Sequence, residues 1–171
     1  MTTSTTDAFK QGFRRHPAGV ALALGAGADG PVGLTVSSLA SVSADPPALS
    51  FSVVRGGATA EQLVGSDVVD LVLLADHHRE VAAAFARSGA ERFTAEQGWQ
   101  HGDGPLPVLA DAPARFRGRP ARVVPVGGSW LVVVEVTDVD LGPASEALVY
   151  ADRDYHGLQP LGAAVSRPRA C

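Results

Sequence analysis

Apolar and polar residues alternate along much of the chain, and a period of two is the pattern of half-buried β-strands. Residues 34–38 (LTVSS) form one such run, residues 19–25 (GVALALG) form an apolar run of strand length before it, and the segment GAGADG between them predicts a hairpin. A third strand is expected at residues 48–54 (ALSFSVV), with Phe51 on its apolar face. The first third of the chain therefore predicts antiparallel β-structure.

Three other segments show the spacing of amphipathic helices. Phe9 and Phe13 lie four residues apart, which predicts a short helix near the start of the chain. Thr59 begins a Thr-x-x-Gln capping box, and this motif predicts a helix that starts there and ends at Gly65. Residues 78–89 (HREVAAAFARSG) predict a third helix.

Further strands are expected where the apolar runs return, at residues 68–75, 114–126, 129–141 and 146–150. The total is about seven strands and three helices, and most strands follow one another as hairpins instead of alternating with helices. This order predicts a mainly β fold with helical excursions, specifically an antiparallel β-barrel. No linker divides the chain, so one domain is expected over residues 1–171, with its core at about 9–158 and a C-terminal tail.

Gly25, Gly27 and Gly30 reproduce the letters of the dinucleotide-binding fingerprint GxGxxG. That fingerprint requires a helix that starts at once and directs its N-terminal amides at a pyrophosphate. Here Pro31 is followed by the alternating sequence VGLTV, which predicts a strand. The match is therefore interpreted as a hairpin turn and not as part of a Rossmann fold.

The composition argues against several classes of partner. The chain of 171 residues has 14 Lys and Arg against 18 Asp and Glu, a formal net charge of −4, so it offers no basic face for nucleic acid. Its apolar runs have the length of strands, so no membrane span is expected. The single cysteine, Cys171, can form neither an internal disulfide nor a thiolate metal site, which is typical of a protein in the reducing cytoplasm.

A charge-free, hydroxyl-rich stretch occupies residues 31–44, directly before Asp45. At a period of two, Thr35, Ser37 and Ser43 fall on one side of a strand and apolar residues on the other. One interpretation is an amphipathic strand whose solvated face consists of Ser and Thr. The other is a ligand-binding surface, because solvent-facing strands usually carry charged residues and because small neutral side chains let a flat ligand approach the backbone.

The same stretch resembles the flavin reductase-like, FMN-binding split-barrel family, whose members carry the pattern T-x-S-S-x-x-S-V-S-x-D-P-P. The match runs from Thr35 to Pro47 and continues through the VAAAFA helix, Trp99 and the final LVY motif, so that it covers about Phe9 to Leu158. The resemblance implies a split antiparallel β-barrel that forms a homodimer and binds FMN or FAD near the subunit interface.

The resemblance also implies an activity. Members of the family act as NAD(P)H:flavin reductases, with NADH or NADPH as the reductant, and supply reduced flavin to a partner monooxygenase. Two alternatives stay open: a flavoenzyme that keeps its flavin and acts directly on an organic substrate, and a non-catalytic flavin-binding protein. In the first two cases the flavin carries the redox chemistry, so no side-chain acid or base is obligatory.

Residue by residue, the resemblance implies a flavin site with three parts. Phe85 would approach the flavin, or would belong to the core with Val81. Arg55 and Thr59 would meet the phosphate, and Thr59 alternatively only caps its helix. The isoalloxazine ring and ribityl chain would be surrounded by Thr35, Val36, Ser37, Ser38, Ser43, Ala44 and Asp45.

The chain departs from the family at Gly128-Ser129-Trp130, where many members carry Gly-Asp-His. That histidine is thought to lie on the nicotinamide side of the flavin, so its absence puts nicotinamide use in question. Ser129, Trp130 and Tyr155 are expected on that side, with Trp130 stacked on a substrate or the flavin. Alternatively, Trp130 is a buried residue of its strand, and Tyr155 belongs to an exposed polar turn.

Two further groups of titratable residues receive structural interpretations. His77 and His78 are adjacent, so their rings point in different directions, and they are interpreted as solvated residues at a helix entry and not as a metal site. Glu135 either faces outward or pairs with an arginine, and pairing is favoured because an unpaired buried carboxylate would neutralise itself. The candidate partners are Arg115, Arg117, Arg119 and Arg122.

Overall fold

The computed structural model describes residues 4–102 and 104–158. Every strand pairing among these residues is antiparallel, which confirms the mainly β fold with helical excursions. The helices are α1 (Thr5–Arg14), α2 (Ala58–Val64) and α3 (Arg79–Ala86). The strands are β1 (Ala18–Gly19), β2 (Ala21–Gly27), β3 (Gly30–Val36), β4 (Ala40–Ala44), β5 (Pro47–Val54), β6 (Val69–Leu73), β7 (Trp99–Gln100), β8 (Val108–Leu109), β9 (Ala114–Val126), β10 (Ser129–Leu141), β11 (Leu148–Ala151) and β12 (Asp154–Gly157).

Seven strands form the main sheet, in the spatial order β3, β2, β6, β9, β10, β5, β4. The β2–β3 hairpin pairs Ala21 with Val36 and closes at Gly27 and Gly30, so the GxGxxG letters lie in a hairpin, as predicted. A smaller sheet of β1, β11 and β12 lies beside it, and β7 pairs with β8.

The main sheet curves so that Ser38, two residues beyond the end of β3, reaches β5. Ser38 follows β3, and its hydroxyl accepts a hydrogen bond from the Ser52 N–H (2.9 Å) and donates one to the Ser52 carbonyl (3.2 Å). Among the described strands no backbone ladder joins β3 to β5, so a side chain makes this connection. The result is a split barrel and not a continuous one.

The core has two halves, one on each face of the sheet. Ala21 and Ala23 of β2 belong to the cluster inside the barrel, together with Phe51, whereas Leu22 and Leu24 belong to the cluster under α3. Because both faces of β2 are covered, its sequence is almost continuously apolar and does not alternate.

Helix α1 forms where the Phe9 and Phe13 spacing predicts a helix, and Ser4 caps it by accepting a hydrogen bond from the Asp7 N–H (3.1 Å). The two phenylalanine rings stack 5.6 Å apart but stay 66% and 62% exposed. No residue of α1 is buried, so its apolar side does not contribute to this core. In the part of the chain that the structure describes, no helix is long and apolar enough to cross a membrane.

The favoured prediction that Glu135 pairs with an arginine was wrong, and the alternative that it faces outward is confirmed. Glu135 is exposed, and in the described residues it forms no ion pair. The buried carboxylate that two arginines of β9 approach is that of Asp70, which lies in β6 with no solvent exposure, and Arg115 also pairs with Asp140 (2.7 Å). Arg117 donates to both Asp70 oxygens (2.9 and 3.0 Å), and Arg115 lies 3.8 Å from one of them.

The interpretation of both histidines as solvated was wrong for one of them. His77 is exposed, but His78 is only 5% exposed and its Nδ1 accepts a hydrogen bond from the Ala75 N–H (3.1 Å). Because Nδ1 accepts this hydrogen bond, the ring is neutral and carries its proton on Nε2. Nε2 lies 3.4 Å from the Ala110 carbonyl oxygen. Burial lowers the pKa of His78, and the neighbouring His77 lowers it further. No group of three potential metal ligands occurs among residues 4–102 and 104–158.

Candidate functional site

Three adjoining depressions follow the end of β3, and we name them by their linings. The main groove, about 590 Å³, lies between β3, β5, the start of α2 and the end of α3. The tyrosine notch, about 170 Å³, lies between Ser37, Tyr150 and Tyr155. The α1 groove, about 330 Å³, lies between α1 and β11. Thr35 lines both the main groove and the notch, and Ser37 lines both the notch and the α1 groove, so the three are continuous.

The wall of the main groove depends on a close approach between Gly33 and Phe85. A Cβ atom at Gly33 would lie 2.6 Å from Leu24 Cδ2 and 2.8 Å from Phe85 Cε1, closer than real Cβ contacts allow. Next to it, the Thr35 hydroxyl donates a 2.6 Å hydrogen bond to the Ala82 carbonyl and so ties β3 to α3. Phe85 itself has no solvent exposure and packs on Phe93, so it is chiefly a core residue that also lines the groove.

Two arginines supply positive charge to the main groove. Arg92 donates to the carbonyls of Gly33 (3.0 Å) and Arg87 (2.7 Å), and its guanidinium lies 5.5 Å from the centre of the Phe85 ring. Arg87 is exposed, and Ser88 lines the groove beside it. In the described part of the chain neither arginine has a carboxylate partner within 4.0 Å. This end of the groove therefore favours an anionic group.

The tyrosine notch presents two half-buried aromatic rings. Tyr150 and Tyr155 meet edge to face with their centres 5.2 Å apart. Burial raises the pKa of Tyr155, and the neighbouring Tyr150 raises it further, whereas Arg79 and Arg87 oppose the shift. The Tyr155 hydroxyl therefore stays protonated at neutral pH and can donate a hydrogen bond.

Several of the site residues predicted from the sequence line these depressions. Phe85 and Thr59 face the main groove from the two helices, although Thr59 is not the helix cap that the sequence predicted. The N-cap of α2 is Gly57, with no side-chain hydrogen bond, because the cap lies two residues earlier than expected. The complete set of predicted residues at the three depressions is Thr35, Val36, Ser37, Thr59, Phe85 and Tyr155.

The hydroxyl-rich stretch is not one continuous strand. It divides into the end of β3, a short connection and β4, and the hydroxyl of Ser38 connects this segment to β5. Ser43 and Ala44 belong to β4, whose partner residues on β5 are Ala48 and Pro47. Ala48 lies four positions before the groove-lining Ser52 on β5, which is a distance of about 13 Å along the strand. Ser43, Ala44 and Asp45 thus lie outside the three depressions within one protomer.

Arg55, Ser129 and Trp130 also lie outside the three depressions. The Arg55 guanidinium stacks on the Trp130 ring at 4.3 Å, and the Trp130 indole N–H donates to the Glu61 carboxylate (3.2 Å). The Gly56 N–H lowers the pKa of Glu61 by hydrogen bonding, and the Trp130 indole adds to this effect. Trp130 is half-buried within its strand, which is close to the alternative that it is a buried residue of that strand. The effect of the Gly128-Ser129-Trp130 departure on nicotinamide use stays a prediction.

Several residues of the site were not expected from the sequence. Arg87, Ser88 and Arg92 follow α3 in an irregular segment, where no periodicity indicates which way a side chain points. Ser52 lies on a predicted strand, but its exposure to the groove depends on the distant residues that surround it. The one signal in the sequence for an anion-binding end is the positive charge of Arg87 and Arg92, near the end of the predicted third helix.

Comparisons with known proteins identify relatives over most of the chain. A family model described as "Flavin reductase like domain" matches residues 13–159. An NADH:FMN oxidoreductase from Rhodococcus qingshengii is 35% identical over 158 residues, which is 90% of this chain and 82% of that protein. The 4-hydroxyphenylacetate 3-monooxygenase reductase component from Pseudomonas aeruginosa is 30% identical over 155 residues, 89% of this chain and 91% of that protein.

Solved structures agree with this fold. A flavin reductase domain protein from Arthrobacter sp. FB24 superposes with a TM-score of 0.83 at 30% identity, covering 92% of this chain and 98% of that one. BorF, the flavin reductase component of a bacterial two-component tryptophan halogenase, superposes with a TM-score of 0.80 at 24% identity, covering 91% and 99%. The second likeness supports the fold alone.

Proposed function

The chain belongs to the flavin reductase-like family, and from this premise we propose that it is an NADH-dependent flavin reductase that reduces FMN and supplies it to a partner monooxygenase. The observation that carries the proposal is the family match over residues 13–159, which includes every residue that lines the main groove. The choice of NADH and FMN rests on the activity after which the Rhodococcus relative is named, and the choice of a monooxygenase partner rests on the name of the Pseudomonas relative.

The residues of the main groove fit a flavin. Its volume lies in the range of about 300–1,000 Å³ that is usual for small-molecule sites. Leu34 and Ala86 offer accessible apolar surface to a planar ring above the buried Phe85, and the Thr59 hydroxyl adds a polar contact. Arg87 and Arg92 lie at the end where a phosphate would be stabilised.

The chain positions its reactants in this proposal, and it supplies no obligatory acid or base. When bound, the flavin accepts a hydride from the nicotinamide, and this redox chemistry belongs to the cofactor. Thr35 and Phe85 hold the shape of the groove. The Tyr155 hydroxyl, in the adjoining notch, would donate a hydrogen bond to a bound reactant. Fixing both reactants at the junction of the two depressions reduces the entropy lost on reaching the reactive geometry.

The homodimer is part of the proposal. The distal part of the β9–β10 hairpin is exposed and apolar, and Val54 of the neighbouring β5 is 75% exposed beside it. A second copy would remove this surface from water, which is favourable by the hydrophobic effect. The exposed residues of the hairpin are Val123, Val124, Val126 and Leu131.

Steady-state oxidation of NADH and NADPH, each with added FMN or FAD, tests the proposal. We expect flavin-dependent NADH oxidation, fastest with FMN, and reduced FMN that can leave the protein. Absence of NADH oxidation with either flavin would overturn the proposal. Flavin that co-purifies at one per chain and is never released would instead support a flavoenzyme or a carrier.

A variant at Ser37 links the activity to the site. Ser37 is exposed at the mouth of the notch and forms no hydrogen bond within the described residues, so Ser37→Leu fills space with little cost to folding. We expect it to raise the KM for NADH by about tenfold or more, because the notch that Ser37 lines is where the nicotinamide would meet the flavin. Changing Ser37 and Ser38 together is not a clean test, because Ser38 connects the barrel to β5. An unchanged KM for NADH in the single variant would contradict the assigned notch.

A further inference from the structure

The α1 groove combines features that the flavin site does not use. It joins the tyrosine notch through Ser37 and Tyr150, so a long ligand can pass from one into the other. Its outer wall is α1, whose stacked Phe9 and Phe13 lie exposed along the groove. Its volume of about 330 Å³ is sufficient for a small planar group.

Basic side chains outnumber acidic ones in this groove. Lys10 and Arg14 lie one helical turn apart on α1. His16 and Arg153 line the same groove, and Asp152 is the one acidic residue in its lining. In residues 4–102 and 104–158, neither Lys10, Arg14 nor Arg153 has a carboxylate within 4.0 Å. Their charge is therefore available for an anionic ligand.

We propose that the α1 groove binds the adenosine diphosphate half of the nicotinamide dinucleotide. The adenine lies on the aromatic side chains of α1, where the Phe9 and Phe13 rings are 13° from parallel, and the pyrophosphate meets Lys10 and Arg14. The nicotinamide then reaches the notch at Ser37, next to the main groove. This inference rests on the proposed function, because it needs a nicotinamide dinucleotide as substrate.

This occupant explains why α1 keeps an unburied apolar side. A purely structural helix would bury its phenylalanines against the sheet. A second copy of the chain is the other occupant that would cover them, but a small groove that combines basic side chains with stacked aromatic rings matches a small polyanion with an aromatic ring.

The test uses the double variant Lys10→Ala/Arg14→Ala in the full-length protein. We expect its KM for NADH to rise about tenfold, while kcat and the KM for FMN change less than about twofold. Arg15→Ala is the matched control, because Arg15 is the adjacent basic residue and does not line the groove. An unchanged KM for NADH in an active double variant would overturn the inference and leave the proposed function intact.

Binding of ADP alone gives a readout that does not require turnover. Calorimetry should detect ADP binding to the wild-type protein and to Arg15→Ala, and at least about tenfold weaker binding to the double variant. ADP should compete with NADH and not with FMN. If Phe9→Ser dissociates a dimer and leaves ADP affinity unchanged, a second copy covers α1 and the inference is wrong.

Discussion

The hydroxyl of Ser38 takes the place of a strand partner on the edge of Ser52 that faces away from β10. It accepts from the Ser52 N–H at 2.9 Å and donates to the Ser52 carbonyl at 3.2 Å, so both backbone groups of one β5 residue are satisfied by one side chain. Ser52 also lines the main groove. Barrel connection and ligand site therefore meet at this residue.

We expect Ser38→Ala to lower the free energy of unfolding by about 1–2 kcal/mol, because two half-buried backbone groups lose their partner. Urea denaturation measures the change. Ser37→Ala is the control, since the Ser37 hydroxyl has no hydrogen-bond partner in the described residues, and it should change stability by less than about 0.5 kcal/mol. Equal effects of the two variants would contradict the connecting role of Ser38.

Asp70 should be the most sensitive charged residue of the fold. Asp70→Asn keeps the shape but removes the charge that faces Arg117 and Arg115, and breaking a buried ion pair from one side costs about 3–5 kcal/mol. The midpoint of urea unfolding reports the loss. Asp67→Asn, at an exposed position of the same segment, should have almost no effect. A tolerated Asp70→Asn would show that Arg117 finds another partner.

Local patterns predicted the elements of this fold well. The β2–β3 hairpin follows from an apolar run, an alternating run and the glycine-rich turn between them, all within residues 19–38. The rejection of the GxGxxG fingerprint follows from the same residues. Helix α1 was predicted because Phe9 and Phe13 are one turn apart. That their side chains stay exposed was not predictable, because spacing indicates a shared face but not what covers it.

Contacts between distant residues were not predictable in the same way. Asp70 appears in sequence as one polar residue in an apolar strand, and its partner Arg117 lies 47 residues away, so the pairing was assigned to Glu135 instead. The family resemblance indicated Thr35, Ser37 and Ser43 for the site, and because the structure places Ser43 outside the three depressions of one protomer, its part in the site stays a prediction. Arg92 enters the groove from an irregular segment that has no periodicity to interpret.

Stability should fall in mild acid because of His78. Burial lowers the pKa of His78 in the folded protein, so the unfolded chain binds this proton more readily. The stabilising contribution is complete above the ordinary histidine pKa of about 6.5 and is lost as the pH falls towards the lower folded value. His77 adds to this lowering of the pKa, whereas the hydrogen bond to the Ala110 carbonyl and then the charges of Asp111 and Asp76 oppose it without reversing it.

His78→Gln removes this titration, so its free energy of unfolding should depend less steeply on pH between about 7 and 5 than that of the wild type. Chemical denaturation at several pH values measures the slope. His101→Gln is the matched control, because His101 is exposed and is not among the groups that shift the pKa of His78, and its slope should match that of the wild type. A wild-type slope retained in His78→Gln would mean that another group controls the acid sensitivity.

Gly33→Ala tests whether the close approach of β3 and α3 shapes the main groove. The new methyl group would lie 2.6 Å from Leu24 Cδ2 and 2.8 Å from Phe85 Cε1, and both side chains are fully buried and cannot move freely. Overpacking of this kind costs about 1–3 kcal/mol, and the ring displaced from Gly33 would move into the groove. We therefore expect both lower stability and weaker FMN binding. Gly19→Ala is the control, because a Cβ there meets nothing within 4 Å and should change neither quantity. If Gly33→Ala lowers stability but FMN affinity is unchanged, the flavin does not lie against Phe85, and the groove between β3 and α3 is not its site.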